Sequence, residues 1–160
     1  MELKFKVSGR ISKPVEEVFE AVADPKQLSG YFTTGGAKGR LETGTIVTWD
    51  FADFPGAFPV EVVEVEKNKK IVLRWDANDD DPTTHPVPPE AKNTYKTTIT
   101  MTFDSLEDGR TLVTIAEEGW RETPAGLSAS YGNCQGWSQM LCALKAYVEY
   151  GINLREGMYK

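Results

Sequence analysis

The sequence contains few of the residues on which metal sites and disulfide frameworks depend. Its 160 residues include two cysteines and one histidine, which is too few for a cluster with metal-ligand spacing. Cys134 and Cys142 lie in a segment with helical periodicity, which would separate their Cα atoms by about 12 Å, beyond the reach of a disulfide. We therefore expect two free thiols, no metal and no cofactor.

Long apolar runs and an excess of basic residues are also absent. No stretch approaches the ~18 apolar residues that cross a bilayer, and the first residues alternate like a strand, without the apolar core of a signal peptide. With 18 basic and 24 acidic residues, the chain carries a net charge of −6. This charge argues against nucleic acid or an anionic membrane as the main partner. We expect a cytoplasmic protein without membrane insertion.

Catalytic sequence motifs are missing as well. The chain has no G-x-S-x-G nucleophile elbow, no phosphate-binding loop and no G-x-G-x-x-G after a strand. Any Ser-His-Asp triad would have to use the single histidine of the chain. The sequence thus assigns no catalytic residue and favours a non-enzymatic protein, although it leaves the question open.

The periodicity of apolar residues predicts both helices and strands. Residues 2–11 alternate as a strand, Ser12 offers an N-cap for an amphipathic helix, and Asp24-Pro25 starts a short second helix. Gly151 is the expected stop of a long C-terminal helix over about 134–151. Between the helices, a glycine-punctuated hairpin is followed by two-residue periodicity, with a turn predicted at 53–56. These further strands are predicted over 46–51, 60–66, 71–75, 95–103 and 111–118.

One segment, 77–94, differs from the rest in composition. It holds a run of three aspartates and four prolines, with hardly any aliphatic residues. Such a composition supports no packed core and predicts a long surface loop. We therefore expect a single domain over 1–160 that carries a long loop at 77–94.

The order of elements predicts an α+β fold. An antiparallel sheet of about six to seven strands has one face to cover, and the apolar stripe of the long helix fits that face. A curved sheet around a helix leaves a cavity, for which aromatic residues from separate elements are candidate walls; the alternative is that they fill the core. The candidates are Trp49, Trp75, Tyr95, Trp120, Tyr131 and Trp137, together with Met140 and Leu144 of the helix.

Three charged residues are candidates for a polar group in that cavity. Glu61 lies within a predicted strand and Glu117 ends another, and burial of either carboxylate would raise its pKa. The alternative is that they occupy the solvated face of the sheet. Arg74 alternates with Leu73 and Trp75, so it lies outside if Trp75 lines the core and inside if the register is reversed.

Several blocks of sequence resemble a known superfamily. Residues 12–22 (SKPVEEVFEAV), followed by Asp24-Pro25, resemble the first helix of the START-related, Bet v I-type (SRPBCC) helix-grip superfamily. More narrowly, they are similar to the branch homologous to the activator of heat-shock-protein-90 ATPase. Similar blocks follow in the same order at 39–49, 60–66, 73–75, 111–120 and 136–151. The resemblance implies a helix-grip fold, in which the sheet wraps around the C-terminal helix.

Three functions are compatible with this resemblance and with the residues. The first is a non-catalytic carrier or stress-related protein that binds a small apolar or amphipathic ligand, such as a lipid, in the cavity. The second is a co-chaperone-like module whose partner is a chaperone or another protein. The third is a cyclase or hydrolase that uses a cavity carboxylate. Both a monomer and a homodimer are compatible with the sequence.

Overall fold

The structure, a computed structural model, describes residues 1–79 and 95–160. Seven strands form one antiparallel sheet in the order β1-β7-β6-β5-β4-β3-β2. Two short helices follow the first strand and one long helix follows the last, which confirms the predicted helix-grip fold. The elements are β1 Leu3–Ile11, α1 Val15–Ala23, α2 Pro25–Leu28, β2 Gly36–Lys38, β3 Ile46–Phe51, β4 Phe54–Glu66, β5 Lys70–Asp76, β6 Lys96–Ser105, β7 Thr111–Trp120 and α3 Pro124–Tyr150.

The core lies between the inner face of the sheet and α3. Alternate residues of the central strands are buried and meet a buried stripe on the helix. Removing such a side chain from water contributes about 1.5–3 kcal/mol. The buried residues of β5 to β7 and of α3 include Ile71, Leu73, Ile99, Met101, Val113, Ile115, Trp137, Met140 and Leu144.

Helix α3 begins about ten residues earlier than predicted. Thr123 is its N-cap and accepts a hydrogen bond from the backbone nitrogen of Gly126 at 3.0 Å, and Pro124 takes the first turn. These two features define the helix start. The sequence prediction placed the start later because the segment contains several glycines. The predicted end is confirmed, because Gly151 caps the helix with a left-handed backbone, φ 69°.

Smaller differences concern helix and strand starts. Pro14, not Ser12, precedes α1, and the backbone nitrogen of Ser12 instead donates to Glu149 of α3. Strand β4 begins at Phe54, inside the predicted turn at 53–56. This start is possible because Phe54 already pairs with Phe51 of β3, so the turn between the two strands is shorter than predicted.

The first residue of the predicted surface loop at 77–94 is buried in the structure. Ala77 is buried, and its backbone nitrogen donates to the carbonyl of Tyr95 at 2.9 Å. It belongs to a small second cluster with Leu3 and Trp120 at the end of the sheet. The rest of the predicted loop, from residue 80 to 94, lies outside the described residues. Within the described ranges, none of the helices has the length and hydropathy needed to cross a bilayer.

Candidate functional site

Aromatic rings from three elements meet between the sheet and α3. The ring of Trp75 on β5 stacks on that of Trp137 on α3, with centroids 5.3 Å apart. Trp49 on β3 meets Trp75 edge-on at 6.0 Å, and Phe32 stacks on Trp137 at 5.5 Å. Both geometries are favourable for aromatic pairs. Three of the six predicted aromatic candidates therefore do come together.

Four of the eight predicted cavity residues fill the interior with their own side chains. Trp49, Trp137, Met140 and Leu144 are all buried and pack in the main core. Protein interiors are close-packed and contain few voids larger than a water molecule. These four candidates are consequently part of the packed interior.

An open pocket of about 350 Å³ lies at the edge of the interior, where β4 and β5 face α3. Its walls include the rings of Phe58 and Trp75, whose centroids are 5.9 Å apart. Asn133 contributes from the helix. Among the described residues, the lining is Phe58, Pro59, Trp75, Asp76, Asn78 and Asn133. The pocket is within the size range of small-molecule sites and combines apolar walls with a few polar groups.

The carboxylate of Glu117 lies behind this pocket and joins four elements. The side chain is 1% exposed. Oε2 accepts hydrogen bonds from Trp75 Nε1 at 2.9 Å and Thr97 Oγ1 at 2.6 Å, and Oε1 accepts one from Trp137 Nε1 at 2.8 Å. Asn133 Nδ2 donates to both oxygens, at 3.1 and 3.0 Å. One carboxylate thus links β5, β6, β7 and α3.

The surroundings of Glu117 act on its charge in two opposing ways. Burial raises the pKa of its carboxyl, while the hydrogen bonds from Thr97, Trp75, Trp137 and Asn133 work in the other direction, and the net shift is upward. Both oxygens already carry donors, so neither is free to take a proton from a bound molecule. In this arrangement the group orients its neighbours, and it would need to release a donor before acting as a base.

The other two polar candidates lie on the outer face of the sheet. Arg74 is exposed and pairs in register with Glu61. A 2.9 Å ion pair with Lys96 lowers the pKa of Glu61. The physical reason is strand alternation: because Leu73 is buried, its neighbour Arg74 projects outward. Of the two alternatives left open for Glu61 and Arg74, the structure therefore has the solvated face for both, and neither lies in the cavity.

Three aromatic candidates lie away from the pocket. Tyr131 is 68% exposed. It precedes Trp137 by six residues, which places it about 120° around the helix from the buried stripe. Trp120 and Tyr95 belong to the second cluster, where the Tyr95 hydroxyl donates to Asp79 Oδ2 at 2.7 Å and accepts from the backbone nitrogen of Arg121 at 3.0 Å.

The pocket and the hydrogen-bond network behind it include residues that were not among the sequence candidates, for example Phe58 and Asn133 in the pocket and Thr97 in the network. Asn133 precedes Trp137 by four residues and so shares its helix face, a spacing that sequence inspection could have used. Thr97 continues the buried alternation of Ile99 in β6. For Phe58 no such signal exists, because its strand was predicted to begin only at residue 60.

Residues 12–149 match the family model described as activator of Hsp90 ATPase homolog 1-like protein. The chain belongs to this family. The match covers far more than half of the sequence and confirms the resemblance inferred from the sequence blocks. No curated protein matches the sequence at a significant level.

Solved structures share the fold of this family member. The protein SSP2350 from Staphylococcus saprophyticus is 26% identical, with a TM-score of 0.73 over 95% of this chain and 96% of that one. The Aha1 dimer from Colwellia psychrerythraea has 19% identity and a TM-score of 0.68, covering 92% and 97% of the two chains. CalU16 from Micromonospora echinospora has 17% identity and a TM-score of 0.65, covering 91% and 74%.

Proposed function

We propose that this protein binds a small apolar or amphipathic ligand in the pocket between β4, β5 and α3, and releases it chemically unchanged. The observation that carries the proposal is the pocket of about 350 Å³ with aromatic walls. One of these wall residues, Trp75, donates a hydrogen bond to Glu117. Phe58 and Trp75 supply apolar area for the ligand, and Asn133 supplies a polar group. The candidate ligand space therefore lies closer to the surface than the sheet–helix cavity that the sequence suggested.

A matched pair of phenylalanines on one strand provides the test. Phe58 lines the pocket, whereas Phe54 of the same strand is 57% exposed and lies outside it. The neutral probe N-phenyl-1-naphthylamine fluoresces more strongly in apolar surroundings and can be titrated into each variant. We expect Phe58→Ala to weaken its binding about tenfold or more, since burying a phenylalanine side chain is worth 1.5–3 kcal/mol.

Phe54→Ala should leave the dissociation constant of the probe unchanged. Equal loss in both variants, or saturable binding in neither the variants nor the native protein, would refute binding in this pocket. Native mass spectrometry of protein purified from the cells that make it complements the titration. A mass excess that disappears on denaturation would identify the natural ligand.

A second candidate function is docking onto a chaperone of the Hsp90 class. It is favoured by the family, which is described by homology to an activator of the Hsp90 ATPase. Exposed apolar side chains near the C-terminus, among them Ile152 and Met158, provide surface for such a contact. The test is the ATPase rate of purified Hsp90 with and without this protein, and an unchanged rate together with no co-elution would eliminate the candidate.

Catalysis by the cavity carboxylate is supported less well. The raised pKa of Glu117 favours it, but every donor around this group would compete with a substrate. Retention of the same mass by a bound ligand after long incubation would argue for binding alone. Conversion of that ligand, abolished in Glu117→Gln, would argue for an enzyme.

A further inference from the structure

The pocket has an uneven supply of hydrogen-bond donors and acceptors. Trp75 and Asn133 both line it and both own N–H groups, yet these groups donate to Glu117. An indole can only donate, and an ionised carboxylate can only accept. Glu117 therefore engages the single indole N–H of Trp75 and one amide N–H of Asn133, so these two donors do not face the pocket.

The orientation of the Asn133 amide follows from the same contacts. Because its Nδ2 atom is held between the two oxygens of Glu117 at 3.0 and 3.1 Å, its Oδ1 atom must point away from that carboxylate. Among the described residues, no hydrogen bond reaches this oxygen. Asn133 thus presents its oxygen as an acceptor to its remaining surroundings, while Glu117 holds one of the two hydrogens on Nδ2.

The charge around the pocket has the same bias. The described lining contains one acidic residue, Asp76, and no lysine or arginine. Nearby, the ammonium group of Lys96 is engaged with Glu61 on the outer face of the sheet. An anionic ligand would therefore find no cation among these residues to offset its loss of hydration.

We propose that Glu117 is a positioning residue that sets the hydrogen-bond polarity of the pocket, so that the ligand is an apolar ring compound with an O–H or N–H donor. This inference rests on the proposed function and narrows its ligand class. The ring fills the space beside Phe58 and Trp75, and its donor meets the Asn133 oxygen. Compounds with acceptors only, and carboxylates, are disfavoured.

Three compounds with one ring system test this preference. 2-Naphthol carries a donor, 2-methoxynaphthalene carries only an acceptor, and 2-naphthoate is an anion, while the apolar area is nearly constant. Isothermal titration of the native protein gives the three dissociation constants. We expect 2-naphthol to bind about three- to tenfold more tightly than 2-methoxynaphthalene, the range that one net hydrogen bond supplies, and 2-naphthoate to bind most weakly.

Three variants separate positioning from simple stabilisation. Glu117→Gln presents an amide N–H₂ that lets the Asn133 amide turn around, so the preference for 2-naphthol should disappear or reverse. Asn133→Ala removes the acceptor and should abolish the preference. Thr97→Val is the matched control, because Thr97 also donates to Glu117 but does not line the pocket; the preference should persist there.

The outcomes distinguish this inference from the proposed function. If none of the three compounds binds the native protein, both fail. If all bind with equal affinity, or 2-naphthoate binds most tightly, the pocket binds ligands but the inferred polarity is wrong. Circular dichroism verifies that each variant is folded, and if Glu117→Gln is not, the contrast between Asn133→Ala and Thr97→Val decides.

Discussion

Glu117 is buried where the inner faces of β5, β6 and β7 meet α3. Leaving a buried donor without an acceptor costs more than a single hydrogen bond contributes, and Glu117 is the acceptor for several donors at once. Its two indole partners cannot turn to another role, since each has only one polar hydrogen. The network therefore holds Trp75 and Trp137 in one orientation beside the pocket.

Substitution of Glu117 should lower stability in a pH-dependent way. In Glu117→Gln one indole N–H faces an amide N–H₂, which we expect to cost about 1–3 kcal/mol. Because burial raises the pKa of Glu117 in the folded state, the folded protein binds the proton more tightly, and native stability due to this group falls as pH rises from the ordinary glutamate range through the raised pKa. The stability gap between native protein and variant should therefore be largest at low pH and shrink as pH rises.

Urea denaturation of both proteins at several pH values measures this gap. Glu61→Gln serves as the control, because the ion pair with Lys96 lowers the pKa of Glu61. For that variant the gap should grow as pH rises through the acidic range and be lost as pH falls. A gap for Glu117→Gln that widens with rising pH would contradict the burial-driven shift.

Helix α3 contains three glycines whose surroundings differ. A Cβ atom at Gly126 would lie 2.0 Å from the carbonyl oxygen of Arg121, whereas Gly132 and Gly136 have open space there. The first glycine is required by the close approach of the chain at the capped helix start. The other two lower the helical preference of the segment without a packing reason.

Alanine substitutions at these positions should have opposite effects. We expect Gly136→Ala to raise the free energy of unfolding by about 0.5–1 kcal/mol, the helix-propensity difference between the two residues. Gly126→Ala should lower it by about 1–3 kcal/mol because the helix start must shift. Thermal and urea unfolding measure both, and a stabilising Gly126→Ala would show that this helix start is not close-packed.

At the scale of the whole molecule, the segment after α3 folds back onto the β3–β4 turn. Arg155 is buried, and its Nη2 atom donates to both oxygens of Asp53, at 3.2 and 3.0 Å. Its Nη1 atom donates to Gln139 at 3.1 Å, and its guanidinium lies 4.7 Å from the ring centroid of Phe51. These contacts join the C-terminal segment, the sheet edge and α3.

Breaking this pair on one side should destabilise the protein strongly. Arg155→Met leaves the Asp53 carboxylate buried without its partner, which we expect to cost about 3–5 kcal/mol. The double variant Asp53→Asn, Arg155→Met removes the unpaired charge and should recover part of this loss. A double-mutant cycle by urea denaturation tests the pair, and additive losses would contradict the coupling.

Local periodicity was sufficient to predict most of the fold. The alternation of Leu73, Arg74 and Trp75 assigned their faces correctly, once Trp75 was taken as internal. The same alternation runs through Val113, Ile115 and Glu117, which is why a buried Glu117 was a reasonable candidate. Starts that depend on capping and pairing were less predictable, as at Thr123 and Phe54, because both involve contacts with atoms outside the local pattern.

The sequence by itself determined the order of the elements, the inward face of most strands and the family, because these depend on neighbouring residues and on blocks of sequence that follow one another in a fixed order. Only the tertiary structure decided that Trp49, Trp137, Met140 and Leu144 fill the interior, and that open space lies beside Phe58. The volume left between elements depends on side chains that are distant in sequence. Likewise, the pairing of Trp75 with Glu117, 42 positions apart, and of Asp53 with Arg155, 102 apart, arises only when the sheet closes around the helix.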